Sequence, residues 1–206
     1  FICSPNNPTG RSVDPDIVRK VARSLGERAL LVLDEAYVEF SSTASMASEL
    51  SELPNLVILR TLSKAFGLAG ARCGVGIAHP QIIALLQKVR APYPLPGPAV
   101  QAVLETLAGD GLDRARARVA ALIAERKRLA EKLSALPSVR EVYPSDANFL
   151  LARFADSAAV VRVTREAGII VRDRSTELNL AGCVRITVGT PEENDLLLAS
   201  LAGLAG

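Results

Sequence analysis

The stretch Thr61-Leu-Ser-Lys-Ala-Phe-Gly-Leu-Ala-Gly-Ala-Arg-Cys-Gly74 decides how this chain reads. It begins where an apolar run, Leu56-Val-Ile-Leu59, ends, and that run reads as a buried strand. Lys64 follows at once, with two hydroxyls beside it, Thr61 and Ser63, and with three glycines and Arg72 after it. Buried among apolar neighbours, an amine is pushed toward its neutral, nucleophilic form, because desolvation disfavours the ammonium. A neutral amine is what a Schiff base with an aldehyde requires. The hydroxyls and the guanidinium beside it make a seat for a phosphate. Taken alone, a surface loop with one lysine and one arginine reads the same residues equally well.

Two other stretches add to it. Ser4-Pro-Asn-Asn-Pro-Thr-Gly10 ends the first apolar run, and Leu30-Leu-Val-Leu-Asp-Glu-Ala-Tyr37 puts Asp34 at the C-terminal end of a second buried strand. In open α/β sheets ligands bind at that end. An aldehyde with a phosphate points to pyridoxal phosphate as cofactor. Asp34 could pair with its ring nitrogen and keep the ring an electron sink. Tyr37 and Asn7 could hydrogen-bond a ring oxygen. The plainer readings stay open residue by residue: Asp34 as a helix cap, Asn7 as a turn former, Tyr37 as a core residue with a satisfied hydroxyl. The order of all three stretches favours a site.

Together, Asn-Asn-Pro-Thr-Gly, Asp-Glu-Ala-Tyr and the lysine block resemble the fold-type I pyridoxal-phosphate aminotransferases, and within them are most similar to histidinol-phosphate aminotransferase. The likeness continues through Ala91-Pro-Tyr-Pro-Leu95, Ala147-Asn-Phe-Leu-Leu151, Val171-Arg-Asp173 and Val184-Arg-Ile-Thr-Val-Gly-Thr190, and so covers essentially the whole chain. The resemblance implies an α/β fold: part of the large domain with a mostly parallel sheet over residues 1–109, a linking helix over 110–136, and a small α+β C-terminal domain over 137–206. It implies pyridoxal 5'-phosphate held by Asn7, Asp34, Tyr37, Thr61, Ser63, Lys64 and Arg72, with Lys64 as covalent anchor and general acid/base. An arginine like Arg185 would hold the substrate's anionic group, and a second like Arg172 suits a phosphate-bearing substrate. Two surface arginines at strand edges are the plainer reading of that pair. Pro96-Gly97-Pro98 departs from the hydroxyl-containing segment usual there, which leaves substrate choice open.

The implied reaction is transamination between histidinol phosphate and 2-oxoglutarate, in histidine biosynthesis. A threonine-phosphate decarboxylase and a broad or aromatic aminotransferase share these motifs. Phe1-Ile-Cys-Ser4 begins inside what reads as a strand, without a starting Met, so the chain reads as a piece of a longer protein. The resemblance implies that such a piece would lack the backbone loop for the cofactor phosphate, the aromatic that stacks on the ring and half of the large sheet. An inactive truncated subunit is therefore a third reading. A homodimer is the implied assembly of the full-length protein.

Composition narrows the partners. The 206 residues carry a net charge of +2 and are 49% hydrophobic, which fits a folded chain and gives no case for nucleic acid or a membrane surface. Apolar stretches are interrupted before they reach a membrane-spanning length. Cys3, Cys73 and Cys183 have no metal-ligand or disulfide spacing, so no metal is expected and reduced thiols in the cytoplasm fit best. The single histidine, His79, precedes Pro80 and reads as a turn or helix-start residue.

The rest reads as ordered elements. Asp14-Pro15 starts a helix that Gly26 stops. Residues 41–53 read as loop with a helical turn. Residues 72–78 read as a strand and Pro80–Arg90 as a helix. Beyond the proline-rich 92–98 a long helical pattern runs through Leu112, Ala115, Val119, Leu122, Leu129 and Leu133. Its basic residues, Arg114, Arg116, Arg118, Arg126, Lys127 and Arg128, read as a solvated face. Strands at 139–143, 148–151, 169–172 and 184–188 and helices at 157–167 and 191–204 follow.

Overall fold

The computed structural model of the protein describes residues 1–204 and divides into two compact units. Of the described residues, one comprises 1–6 and 12–119, the other 7–11 and 120–204.

The first unit carries a four-stranded sheet in sequence order. Strand β1 (Ile2–Cys3) leads through a turn to helix α1 (Pro15–Leu25). The Asp14 side chain accepts from the Asp16 N–H, Pro15 opens the first turn, and the helix ends at Gly26, whose φ of 52° suits only a residue without a Cβ. β2 (Leu31–Asp34) and β3 (Leu56–Thr61) follow, and β1, β2 and β3 run parallel. Leu31, Leu33, Leu56 and Ile58 pack with Val18 and Ala22 of α1 and with Met46 and Leu53 into one core. The Asn55 amide donates to the carbonyls of Ala22, Gly26 and Ala29, tying the end of α1 to the start of β3. The 41–53 stretch resolves into a single 3-10 turn at Met46–Glu49.

β4 (Gly74–Ala78) pairs antiparallel with β3, and Gly74, Val75 and Gly76 are exposed. The mostly parallel sheet expected from the sequence thus ends in an exposed antiparallel edge strand. α2 (Pro80–Val89) starts at His79, whose Nδ1 accepts from the Gln81 N–H, as its helix-start reading requires. The long helical pattern begins after a separate helix. α3 spans Gly97–Leu107, and α4 (Gly111–Ser134) starts after a break at which Gly109 takes a φ of 56°.

The second unit has an antiparallel sheet in the order β5-β6-β8-β7, formed by β5 (Val139–Val142), β6 (Phe149–Phe154), β7 (Arg172–Asp173) and β8 (Cys183–Thr187). Its helices are well capped: Asp156 caps α5 (Ser157–Glu166), and Thr190 with Glu193 forms a capping box on α6 (Pro191–Leu201). Leu129 and Leu133 of α4 join Leu150, Phe154, Val160, Val184, Ile186 and Leu197 in the core.

Two sequence expectations change here. The strand expected at 169–172 is shorter and later, because the Ile169 N–H is spent on the Thr164 carbonyl at the end of α5, where Gly168 turns with a φ of 80°. Ile170 is left 75% exposed. The basic residues of α4 also divide. Arg114, Arg116 and Arg118 are exposed, but Arg126 donates to the Ala147 carbonyl at 2.6 Å. Arg128 bridges Glu125 and Asp195 at 2.6 and 2.7 Å. The three cysteines carry free thiols. Among the described residues no helix is long and apolar enough to cross a membrane.

Candidate active site

The C-terminal ends of β2 and β3 carry the lysine stretch and its partners. Side chains alternate along a strand, and the parallel register sets Asp34 beside Leu59. Asp34, Leu59 and Thr61 therefore share the face opposite the α1 core. Asp34 is half-buried, and its Oδ1 accepts from the Ala36 N–H at 2.9 Å. This short turn swings the chain toward Tyr37, which is 9% exposed.

Beyond β3 the backbone closes on itself. The Leu62 N–H donates to the Cys73 carbonyl, the Leu68 N–H to the Leu62 carbonyl and the Gly67 N–H to the Lys64 carbonyl. These bonds hold residues 62–73 as a compact loop. Lys64 projects from it with its ammonium 5.4 Å from the centre of the Tyr37 ring. The structure thus brings Lys64 and Tyr37 together, but Lys64 is exposed. The expected burial among apolar neighbours is not found: Lys64 lies beyond the strand end, over one aromatic face.

Thr61 and Ser63 meet directly, with 2.9 Å between their hydroxyl oxygens, and the Ser63 N–H donates to Thr61 Oγ1. Arg72 is exposed, donates to the Ala69 carbonyl and makes no hydrogen bond to either hydroxyl. Its φ of 53° is left-handed, which a residue with a Cβ adopts at a cost.

The second unit holds the other expected residues. Arg172 and Arg185 are directly opposite each other on β7 and β8 and so share one face of that sheet. Arg185 donates to Asn7 Oδ1 at 2.7 Å and stacks 5.1 Å over the Phe149 ring. Arg172 is exposed and has no ion-pair partner among the described residues. Asn7, expected to reach a ring oxygen, here orients Arg185 through its Oδ1, which leaves the amide nitrogen as a donor.

Sequence reading missed Glu35. It is 2% exposed, accepts from the Ser45 hydroxyl at 2.5 Å and the Met46 N–H at 2.9 Å, and lies 3.8 Å from Arg60. Leu30-Leu-Val-Leu33 is apolar at every position, so alternation gives no sign in the sequence of which of Asp34 and Glu35 faces the core. Among the described residues no cluster of histidine, cysteine and carboxylate side chains could hold a metal.

A lysine loop at a strand's C-terminal end, an aspartate on the adjoining parallel strand and a tyrosine under the lysine define an α/β enzyme-like site. The family model for aminotransferase class I and II matches residues 1–201, and the chain belongs to that family. It is 45% identical over its full length to the histidinol-phosphate aminotransferase of Pectobacterium atrosepticum, of which it covers 58%. The crystal structure of the histidinol-phosphate aminotransferase from Sinorhizobium meliloti in complex with pyridoxal-5'-phosphate superposes with a TM-score of 0.86 at 30% identity, covering 97% of this chain and 55% of that one. L-threonine-O-3-phosphate decarboxylase from Porphyromonas gingivalis superposes with a TM-score of 0.83 at 25% identity, covering 97% of this chain and 62% of that one. The chain thus spans somewhat more than half the length of these relatives.

Proposed function

We propose that the full-length protein is a pyridoxal-phosphate-dependent aminotransferase that moves an amino group between histidinol phosphate and 2-oxoglutarate. The observation that carries this reading is the register of β2 on β3. It sets Asp34 and Thr61 on one face at the strand ends, with Lys64 held over Tyr37.

The residues fit the cofactor. Lys64 offers an amine for its aldehyde, Asp34 a carboxylate for its ring nitrogen, and the paired hydroxyls of Thr61 and Ser63 together with Arg72 offer donors for its phosphate. When bound, pyridoxal phosphate supplies an electron sink for the bonds at the substrate's α-carbon. Asp34, with one oxygen anchored to the Ala36 N–H, would have the other available for the ring nitrogen and would hold a proton there. Tyr37 supports Lys64 from below, and the ammonium above its ring is attracted to the π-face. Lys64 Nζ takes up and returns a proton at the substrate α-carbon, and its exposure leaves it free to swing.

Arg172 and Arg185 favour a phosphate-bearing substrate. Two like charges directly opposite on adjacent strands repel. A bound dianion turns that repulsion into attraction, and the stack on Phe149 with the bond to Asn7 fixes one guanidinium in advance. A homodimer of the full-length protein belongs to the same proposal and is supported by the uncovered apolar side chains of α2 and α3.

The test is an assay of the full-length protein with histidinol phosphate and 2-oxoglutarate, with free aromatic amino acids and with L-threonine phosphate. Transfer that prefers the phosphorylated amine is expected, with Lys64→Ala inactive. Release of carbon dioxide from threonine phosphate without use of 2-oxoglutarate would support the decarboxylase reading, which the Porphyromonas gingivalis structure keeps in view. Lack of any absorbance band on adding pyridoxal phosphate to this chain alone would mark it as a piece that cannot hold the cofactor.

A further inference from the structure

Behind the candidate site, on the opposite face of the same strands, lies a charged cluster that the proposed chemistry does not use. Alternation puts Arg60 on the face of Leu56 and Ile58, back to back with Thr61. Glu35 shares that face, back to back with Asp34. Its N–H donates to the Leu59 carbonyl at 2.8 Å, which prolongs the strand pairing by one residue. The Arg60 guanidinium binds Glu39 at 2.6 Å and lies 3.8 Å from Glu35. Glu35 in turn is held by Ser45 and Met46 at the start of the 3-10 turn. The side chains of Arg60, Glu35 and Glu39 are 27%, 2% and 16% exposed, so little of the cluster meets water.

Such a cluster is a poor device for stability. Removing charges from water costs more than imperfect pairing returns, and the Arg60 Nε–H is buried without a hydrogen-bond partner. Its placement is more telling. Arg60 immediately precedes the Thr61–Lys64 loop, and Glu35 and Glu39 flank the residues between Asp34 and the end of the Tyr37 turn. One guanidinium therefore joins the strand that carries Lys64 to the loop that carries Tyr37. A planar fork can bridge two carboxylates at fixed angles, which a lysine cannot do.

We propose that Arg60, bridging Glu35 and Glu39, is a positioning residue that sets Tyr37 under Lys64. This assignment rests on the aminotransferase reading for its consequence but not for its geometry. The latch acts through Tyr37 and touches no reactant itself.

Two readouts test it. The first needs no cofactor. The chain has three tyrosines, Tyr37, Tyr93 and Tyr143, so ring signals of carbon-13-labelled tyrosine resolve singly, with Tyr37→Phe giving the assignment. Lys64→Met is expected to shift the Tyr37 signal in the wild-type background, because it removes the charge above the ring. In an Arg60→Gln background that response should fall by about half or more, since the ring no longer sits under residue 64. The second readout is pyridoxal phosphate titration of the full-length protein. Arg60→Gln should weaken binding by about tenfold and raise the pH midpoint of the bound-cofactor absorbance, as outer contacts that orient binding groups do. Should Arg60→Gln fail to fold, Glu39→Gln removes one arm of the bridge at its more exposed end and should give a smaller change in the same direction. A Tyr37 signal that keeps its position and its full response to Lys64→Met in the folded variants would overturn the latch. Normal cofactor binding by those variants would overturn it as well. Failure of the wild-type protein to bind cofactor would count against the proposed function alone, because the tyrosine readout stands without it.

Discussion

The two units are built from similar material and close very differently. In the second unit Leu129, Leu133, Val160, Val184 and Ile186 are at most 1% exposed, and both of its later helices carry side-chain caps. In the first unit the core on the α1 side is equally dry, with Leu56 and Ile58 at 0%. Beyond β3 it is open: Val75, Leu85, Val89 and Leu104 are 46%, 62%, 81% and 60% exposed, and α2 buries no side chain. Apolar surface on that scale is uncommon on a self-sufficient unit. The second unit's stability is contained in its own residues, whereas the first unit's is contained only in the core that α1 forms with β2 and β3.

The sharpest way to break this comparison is a matched pair of truncations. Leu133→Ala should cost the second unit about 3 kcal/mol, because it leaves a cavity in a closed core. Leu86→Ala, at a side chain 48% exposed, should cost the first unit less than about 0.5 kcal/mol. Urea melts read by Tyr143 for the second unit and Tyr37 for the first would check both, and equal losses would mean that α2 is not open in solution.

A smaller effect is expected where the short segment 7–11 joins the second unit. Gly10 has a φ of 75°, and a Cβ there would run into the Ser145 side chain. The Gly10 carbonyl also accepts from the Asp146 N–H at 2.7 Å. Gly10→Ala should destabilise the second unit by about 2 kcal/mol and leave the Tyr37 melt unchanged.

Acid should separate the units as well. Hydrogen bonds from Arg128, with help from Asn194, hold the Glu125 carboxyl below its usual range, and Ser175 does the same for Asp173. In the first unit Arg19 does so for Glu49. A depressed folded pKa means that the unfolded chain binds protons first. The stability these groups supply is therefore complete above the unfolded carboxylate value of about 4 and is lost as pH falls through the lower folded values. With more such carboxylates, the second unit should lose more in urea melts between neutral and acid pH, and Glu125→Gln should flatten its profile. The smallest change is expected at Asp113→Asn, whose pair with Arg116 is exposed on both sides: below about 0.5 kcal/mol in either melt.

Much of the candidate site's placement was legible because its residues sit at strand ends, where apolar runs stop and polar residues begin. Asp34, Thr61 and Lys64 could be placed in that way, and so could the start and stop of α1 and the cap at His79. Exposure could not. Lys64 reads as buried because apolar residues surround it in sequence, yet the loop that carries it turns outward. The α4 arginines read as one solvated face, yet Arg126 and Arg128 reach partners twenty or more residues away. The strand expected at Ile169 failed because the helix before it had already claimed that N–H.

What the sequence determined by itself was local: which segments are helix or strand, where they are capped, and which chemical groups stand at their ends. These follow from side-chain period, capping and turn chemistry, all settled within a few residues of chain. The tertiary structure decided which carboxylate of Asp34-Glu35 faces the site and which faces Arg60, which arginines are paired, and that Arg172 stands opposite Arg185. Those depend on strand register, and register is fixed by partners distant in sequence.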